Sequence, residues 1–426
     1  MIHNIKSGVF LKKEKNLIDL PIEIMPIPQK VYIHFCQHKG TSAIPLVKPG
    51  DSVKIGTKIG ESASGISSSV HSSISGKVVD ITLHPHPFLG KGLCCIIESD
   101  YSDTWEQKFI DADYQSLNIN ELLERIKNAG IVGLGGGGFP TDIKLSCAMD
   151  KKIEKLIING CESEPNLSSD FRIMMEYPGC VSEGARIIQR IINASEMLFV
   201  LPKIYKQAVE LLKKEGVEVK VLPDRFPQGS ERLLIKEIAN KIIPQDKLPF
   251  DMGFMVQNVG TCYAVFQAVK YNKPLIERIV TIAGNGIKKP KNLLVKIGTP
   301  LSDIIQYCGG LNGNLKKVIF GGLMTGNAQF SLDTPVIKTT NGIVFQNTLD
   351  EEERTECVRC GKCIDVCPTE LLPQVIYQYI KQNDFKSAVD YGLKECIECG
   401  CCGYICPSFI PLVHYFKFAK MRIANG

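Results

Sequence analysis

The clearest chemistry in this 426-residue chain lies in the spacing of its cysteines. Cys357-x2-Cys360-x2-Cys363-x3-Cys367-Pro368 is followed by Cys396-x2-Cys399-x2-Cys402-x3-Cys406-Pro407. Thiolates are soft, anionic ligands suited to iron–sulfur clusters. The x2 spacing lets three sulfurs of one loop face one cube, while the fourth, before proline, reaches the other cube. The spacing therefore predicts one [4Fe–4S] cluster on Cys357, Cys360, Cys363 and Cys406, and a second on Cys396, Cys399, Cys402 and Cys367. Structural zinc sites usually show two separated CxxC pairs, which this doubled run does not resemble. Cys401 falls outside the pattern and reads as a bystander.

Upstream, Gly133-Leu134-Gly135-Gly136-Gly137-Gly138-Phe139-Pro140-Thr141 follows the apolar pair Ile131-Val132. Glycines let backbone N–H groups approach phosphates or a flat ring closely. No Gly-Lys-Ser/Thr ends the run, so it is not a P-loop, and it lacks a spaced acid for a dinucleotide fingerprint. Alone, a tight turn explains it. Its companions are Asn159-Gly160-Cys161-Glu162-Ser163-Glu164-Pro165 after a strand end, Phe226-Pro227-Gln228-Gly229-Ser230-Glu231-Arg232, and Val256-Gln257-Asn258-Val259-Gly260-Thr261. Singly, each reads as a capped helix start or a solvated turn. Together they gather acids and amides where α/β domains bind ligands.

The elements that must hold these groups follow from pattern. Residues 28–100 alternate short β-branched runs with Gly turns, among them Val31–Phe35 and Ser75–Asp80, and predict a lipoyl-like β-sandwich. Ser68-Ser69-Val70-His71-Ser72 stands where an attachment lysine would be, so the module reads as a scaffold. From 118 to 265 the pattern is α/β: a helix over Glu121–Lys127 ending at Gly130, a strand Lys155–Ile158, a helix Val181–Ile192 and a strand Met197–Leu201. Residues 279–320 read as β-rich with a short helix near Ser302–Cys308. Asp350–Thr355 is a charged linker, and Leu371–Gln382 is a helix between the cysteine runs.

The bulk numbers exclude several classes. The chain is too long for one core. A net charge of +5, no Lys/Arg stripe and a single Trp argue against nucleic acid. Met1–Lys6 has no apolar signal core, and no run of about 18 apolar residues exists. The expectation is a cytoplasmic protein, or one peripheral on the cytoplasmic membrane face, with membrane contact only through partners. Nine of the 17 cysteines fall in the C-terminal module, which in an intracellular chain reads as metal binding.

The ordered set GxGGxGFPTxxK, NxxExEP, QGSE and VQNVGT resembles the FMN- and NADH-binding subunit of respiratory complex I. With the sandwich before it and the cysteine module after it, the whole chain resembles the C subunits of Rnf complexes, ferredoxin:NAD oxidoreductases. The resemblance implies FMN, NAD(H) and two [4Fe–4S] clusters. Gly133, Gly135, Gly136 and Gly138 would line FMN and nicotinamide, Phe139 would stack near the nicotinamide, and Lys144 would contact the FMN phosphate. Asn159, Glu162 and Glu164 would hydrogen-bond the flavin or the NADH ribose and amide. Gly229 and Glu231 would flank the adenine side, and Asn258 would hold the FMN phosphate or ribityl chain.

The implied fold is α/β multidomain. It comprises a sandwich at 1–112, a Rossmann-like FMN/NADH domain at 113–275, a ligand-binding β-grasp module at 276–349 and a two-cluster ferredoxin-type domain at 350–426. The implied partners are the other subunits of a membrane Rnf-type complex, with ferredoxin reached indirectly. Two alternatives are a soluble donor to a dedicated reductase, such as proline reductase, and a non-catalytic iron–sulfur adaptor. Cys161 and Ser230 replace the Asp and Glu of the complex I flavin protein. Gly321-Gly322-Leu323-Met324-Thr325-Gly326 departs from the Gly-Gly-Pro-Met-x-Gly expected of Rnf C subunits.

Overall fold

The computed structural model describes residues 8–12, 15–107, 111–349 and 353–425. The expected signal-free start Met1–Lys6, and residues 350–352 of the charged linker, lie outside them.

The central α/β domain is a parallel four-stranded sheet. Its order is Val219–Leu222, Glu196–Pro202, Lys155–Asn159, Phe254–Asn258. Three of these strands are buried on both faces and read as apolar runs, as a helix-covered parallel sheet requires, and Val219–Leu222 is the exposed edge. The chain runs outward from Lys155–Asn159 and then returns to its other side, which makes a topological switch point between Lys155–Asn159 and Phe254–Asn258. Two covering helices, Pro178–Ile191 and Val259–Tyr271, approach so closely that a Cβ on Gly184 would fall 1.8 Å from the Cys262 carbonyl oxygen. Asn118 and Glu121 form a capping box that starts the first long helix, Ile119–Asn128, and Gly130 closes it at φ +64°.

The N-terminal region packs the antiparallel sheet Lys30–His34, Gly90–Ser99, Gly76–His86, Ser52–Val53 on a three-stranded sheet, around Val31, Ile33, Phe35, Ile59 and Ile97. The Ser67–Ser75 stretch is buried. Lys338, itself buried, donates from Nζ to the Ser69 and Gly130 carbonyls at 2.6 and 2.7 Å. One ammonium thus joins sandwich, α/β domain and grasp module, and burial pushes its pKa down to about 7.

The grasp module is a six-stranded sheet with the helix Leu301–Tyr307. Its edge strand, Ile22–Ile24, pairs in parallel with Lys291–Lys296. This short, half-exposed segment, drawn from within the expected unit over 1–112, pairs with residues 270 positions further along the chain.

In the cysteine module the loop around each cysteine run recurs 39 positions on. Arg359 and Gly361 flank Cys360 with positive φ, as Glu398 and Gly400 flank Cys399; Glu370 and Phe409 repeat the same turn after the fourth cysteines. Short helices Lys362–Asp365 and Cys401–Tyr404 lead to Pro373–Lys381 and Leu412–Asn425. The helices share a core of Ile376, Ile380, Leu393, Ile410, Leu412 and Phe416 that also takes in Cys363 and Cys402.

Candidate functional site

Asn159 and Asn258 are register partners at the carboxyl ends of the two switch-point strands. They open onto a cavity of about 300 Å³, within the range of small-molecule sites. Of the predicted residues, Gly135, Gly136, Asn159, Glu162, Glu164, Gly229 and Asn258 line it. The other walls come from Phe88 of the sandwich, Gly321–Gly322 and Thr339–Asn341 of the grasp module, and Ile397 and Cys399 of the cysteine module.

The polar groups are fixed before any ligand arrives. Asn159 Nδ2 donates to the Gly229 carbonyl at 2.9 Å, which anchors the Phe226–Ser230 turn. Asn258 Oδ1 caps the helix Val259–Tyr271 by accepting from Gly260 N–H, and its Nδ2 donates to Asp170 Oδ2 at 2.6 Å. Glu162, at φ +26°, accepts from Ser169 Oγ and from the Asp170 and Phe171 N–H groups at 2.9–3.1 Å. Beneath them Arg278 is fully buried, its pKa held down to about 10 by desolvation against the pull of Asp170 and Glu162. It donates to the Thr340 and Leu134 carbonyls, so the guanidinium also ties the glycine loop to the grasp module. Sequence reasoning missed Asp170 and Arg278, which lie in unremarkable helix and strand contexts.

Glu164 faces the divergent Gly321–Gly326 loop. Its carboxylate accepts from Met324 and Thr325 N–H at 3.0 Å and from Thr325 Oγ1 at 2.6 Å. A Cβ on Gly322 would fall 2.1 Å from Glu164 Oε2, so that position needs glycine. Met324 in turn packs with Phe226, Val366, Cys399 and Cys401.

The glycine loop is pinched at its base, where Gly133 N–H donates to the Phe139 carbonyl and Gly138 N–H to that of Gly133. Gly136 and Gly137 have open space where a Cβ would stand, and among the described residues no backbone carbonyl takes their N–H groups. A side-chain-free edge with such donors fits a flat ring or phosphate, and so fits FMN. Gly133, Gly138, Phe139, Lys144 and Glu231 lie off the cavity wall. Lys144 Nζ pairs with Glu231 Oε1 at 2.9 Å and donates to the Val256 carbonyl at 2.7 Å.

Seven of the eight cysteines of the doubled run fall into two neighbourhoods. Cys357 and Cys360 act on the Cys363 thiol, which burial pushes up. Cys396 is pushed up to about 11 by burial, and Cys399 and Cys367 act on it. Cys402 is raised by burial, then by Cys399, Cys396 and Cys367. Leu371 N–H donates to Cys367 Sγ at 3.3 Å and Glu398 N–H to Cys396 Sγ at 3.4 Å. Thiols that resist ionisation without a cation, in loops turned so that N–H groups meet sulfur, fit iron–sulfur clusters. Among the described residues no three His, Cys, Asp or Glu side chains close on a single ion. Cys401, outside the doubled pattern, is fully buried, donates to the Phe226 carbonyl at 3.7 Å, and by a hydrogen bond lowers the pKa of the Cys399 thiol. Among the described residues no helix is long and apolar enough to cross a membrane.

Family models match four stretches: the RnfC barrel sandwich hybrid domain at 3–102, the Nuo51 FMN-binding domain at 126–267, the SLBB domain at 279–328 and a 4Fe-4S dicluster domain at 349–407. The fold resembles a chain of an NAD+-reducing [NiFe]-hydrogenase, with TM-score 0.52 and 17% identity over 74% of this chain and 63% of that one. The chain is 41% identical over 384 residues to the C subunit of the proton-translocating ferredoxin:NAD(+) oxidoreductase complex of Clostridium ljungdahlii, covering 88% of this chain and 84% of the relative. The Na(+)-translocating counterpart of Acetobacterium woodii is 34% identical over 394 residues, 89% of each chain. The C subunit of the ion-translocating oxidoreductase complex of Pseudomonas aeruginosa is 37% identical over 99% of this chain, which spans 56% of that longer relative. On identity at this level along nearly its whole length, the chain belongs to the family of C subunits of Rnf-type oxidoreductase complexes.

Proposed function

We propose that this chain moves electrons between NAD(H) and two [4Fe–4S] clusters through FMN, as the peripheral C subunit of a membrane Rnf-type ferredoxin:NAD oxidoreductase. The observation that carries this reading is a single cavity walled both by the glycine loop and by Cys399. FMN, when bound, supplies acceptance of a hydride as an electron pair and release of single electrons, and the clusters supply one-electron carriage.

The chain's own residues supply position and field. Gly135 and Gly136 give the flavin a face without side chains, and Gly133 and Gly138 hold the loop's pinch, backed by Phe139. Asn159, Asn258 and Gly229 form the polar floor at the switch point. Glu162 and Glu164 act through the groups they anchor: Glu162 sets the helix start at Ser169, and Glu164 the loop at Met324. Lys144, paired with Glu231, meets the FMN phosphate, and Glu231 with Gly229 flanks the adenine side. Cys396, Cys399, Cys402 and Cys367 hold the cluster beside the pocket. Cys357, Cys360, Cys363 and Cys406 hold the other one, whose Cys360 is exposed.

The test is anaerobic. Reconstituted protein should bind about one FMN per chain and about eight irons, and NADH should bleach the flavin bands. Protein with full iron content that binds no flavin would leave only an adaptor role.

A further inference from the structure

The two cysteine loops repeat one backbone, yet they differ at one matching pair of positions. Lys362, two places after Cys360, is exposed, whereas Cys401, two places after Cys399, has no exposed surface. Cys401 is outside the ligand pattern, and the function proposed above does not use it.

Its surroundings are those of a junction. Cys401 packs with Phe226, Val9, Met324, Val366 and Cys399. Its Sγ donates to the Phe226 carbonyl at 3.7 Å, and that oxygen also accepts from Val9 N–H at 3.0 Å. The Val9 carbonyl takes Phe226 N–H at 2.9 Å, and Gly8 N–H donates at 3.0 Å to Val366, the residue before Cys367. A Cβ on Gly8 would fall 2.5 Å from the Phe226 oxygen, at φ +96°, so this strap needs glycine there. Phe226 opens the turn whose Pro227, Gly229 and Ser230 line the pocket with it, and Cys399 lines the same pocket. One carbonyl thus gathers the pocket turn and the residues beside Cys367, Cys399 and Cys402.

A thiol carries one proton, and that of Cys401 has two acceptors, the Phe226 carbonyl and the Cys399 sulfur. A ligand sulfur gains negative charge when an electron arrives, and a charged acceptor makes the stronger hydrogen bond. Hydrogen bonds to the sulfurs are one of the levers on cluster potential.

Resting on the function proposed above, we infer that Cys401 is a positioning residue for electron transfer: its S–H links the pocket turn to the Cys399 sulfur and raises the potential of the cluster that Cys399 helps hold. The S–H bond itself stays intact. Only its acceptor changes when an electron arrives, from the Phe226 oxygen to the sulfur, so no proton leaves and the Phe226–Ser230 turn loosens.

The experiment uses the full chain with reconstituted clusters and FMN, in redox titrations followed by electron paramagnetic resonance. The signal to follow is the one that Cys399→Ser removes. Cys401→Ala should lower its midpoint by the equivalent of an about tenfold shift in equilibrium, or about 59 mV for one electron. About eight irons should remain, and the midpoint of the other cluster should not move. Cys401→Ser keeps a donor and should bring the midpoint back toward wild type. Hydrogen exchange over the Phe226–Ser230 turn should be faster in Cys401→Ala than in wild type, and in wild type faster after reduction with dithionite. Equal midpoints in wild type and Cys401→Ala, equal shifts in the Ala and Ser variants, or exchange that reduction leaves untouched would overturn the inference. Iron lost from Cys401→Ala would make Cys401 a ligand and overturn it as well. A chain that shows the midpoint shift but binds no FMN would sink the flavin reading and keep this one.

Discussion

In the nucleotide pocket, Glu162, Glu164, Asn258 and Arg278 already spend their hydrogen bonds on the protein. In the cysteine module, Cys367 and Cys396 each accept one backbone N–H, and burial resists ionisation of Cys363, Cys396 and Cys402. The pocket is therefore a site built ahead of its ligand, whereas the module is a site whose charges settle only when metal arrives. The contrast suits the tasks. A nucleotide that comes and goes needs donors already aimed, and a resident cluster can be part of the fold.

The largest break in that contrast is Cys399→Ser. It should cut iron from about eight to about four per chain. Electron delivery from NADH to an external one-electron acceptor should fall by at least about a hundredfold, while FMN content stays. Iron analysis beside flavin absorbance checks it.

Next is Asp170→Asn, which leaves Arg278 buried without the stronger of the two carboxylates that pull on it. It should cost about 3–5 kcal/mol of unfolding free energy in urea melts. The double change with Arg278→Met should recover much of that loss. If Asp170→Asn unfolded no more easily than wild type, the pocket floor would not be the prebuilt element described here.

Glu164→Gln removes charge-assisted acceptance from Met324 and Thr325, worth about 2 kcal/mol. Faster hydrogen exchange confined to the Gly321–Gly326 loop is the expected reading.

The smallest effect per group is graded with pH and lies in the sandwich behind the pocket. Burial pulls the pKa values of His34 and His38 down to about 4 and that of His71 to about 3. Below about pH 6.5 the unfolded chain takes up protons that the folded one refuses, so stability falls as pH falls from 6.5 toward 4. Each histidine contributes at most about 1.4 kcal/mol per pH unit. Urea melts at pH 5, 6 and 7 on His71→Asn should show a flatter slope than wild type.

How much of this was legible in sequence depended on distance along the chain. The cysteine loops were, because cluster ligation is set by spacings of two and three residues. The glycine loop and the strand ends were, because each is a local signal. That Asn159 and Asn258 stand side by side was not, since it requires strands some hundred residues apart to pair at a switch point. Glu162 and Glu164 stood out by composition, yet their carboxylates turn out to brace helix and loop. Phe88 gave only the signal of an apolar pair in a Pro-Phe-Leu-Gly turn, and its place at the pocket comes from the docking of two domains. The pairing of Ile22–Ile24 was not legible, because three residues of edge strand carry no mark of the sheet they join.

The central claim is that electrons entering the pocket leave through the Cys396–Cys402 loop. The direct measurement is rapid freeze-quench electron paramagnetic resonance after mixing NADH with anaerobic Cys360→Ser and Cys399→Ser proteins. The account predicts prompt reduction of the remaining cluster in Cys360→Ser, and in Cys399→Ser a bleached flavin with slow or absent cluster reduction. Prompt cluster reduction in Cys399→Ser, with none in Cys360→Ser, would contradict it.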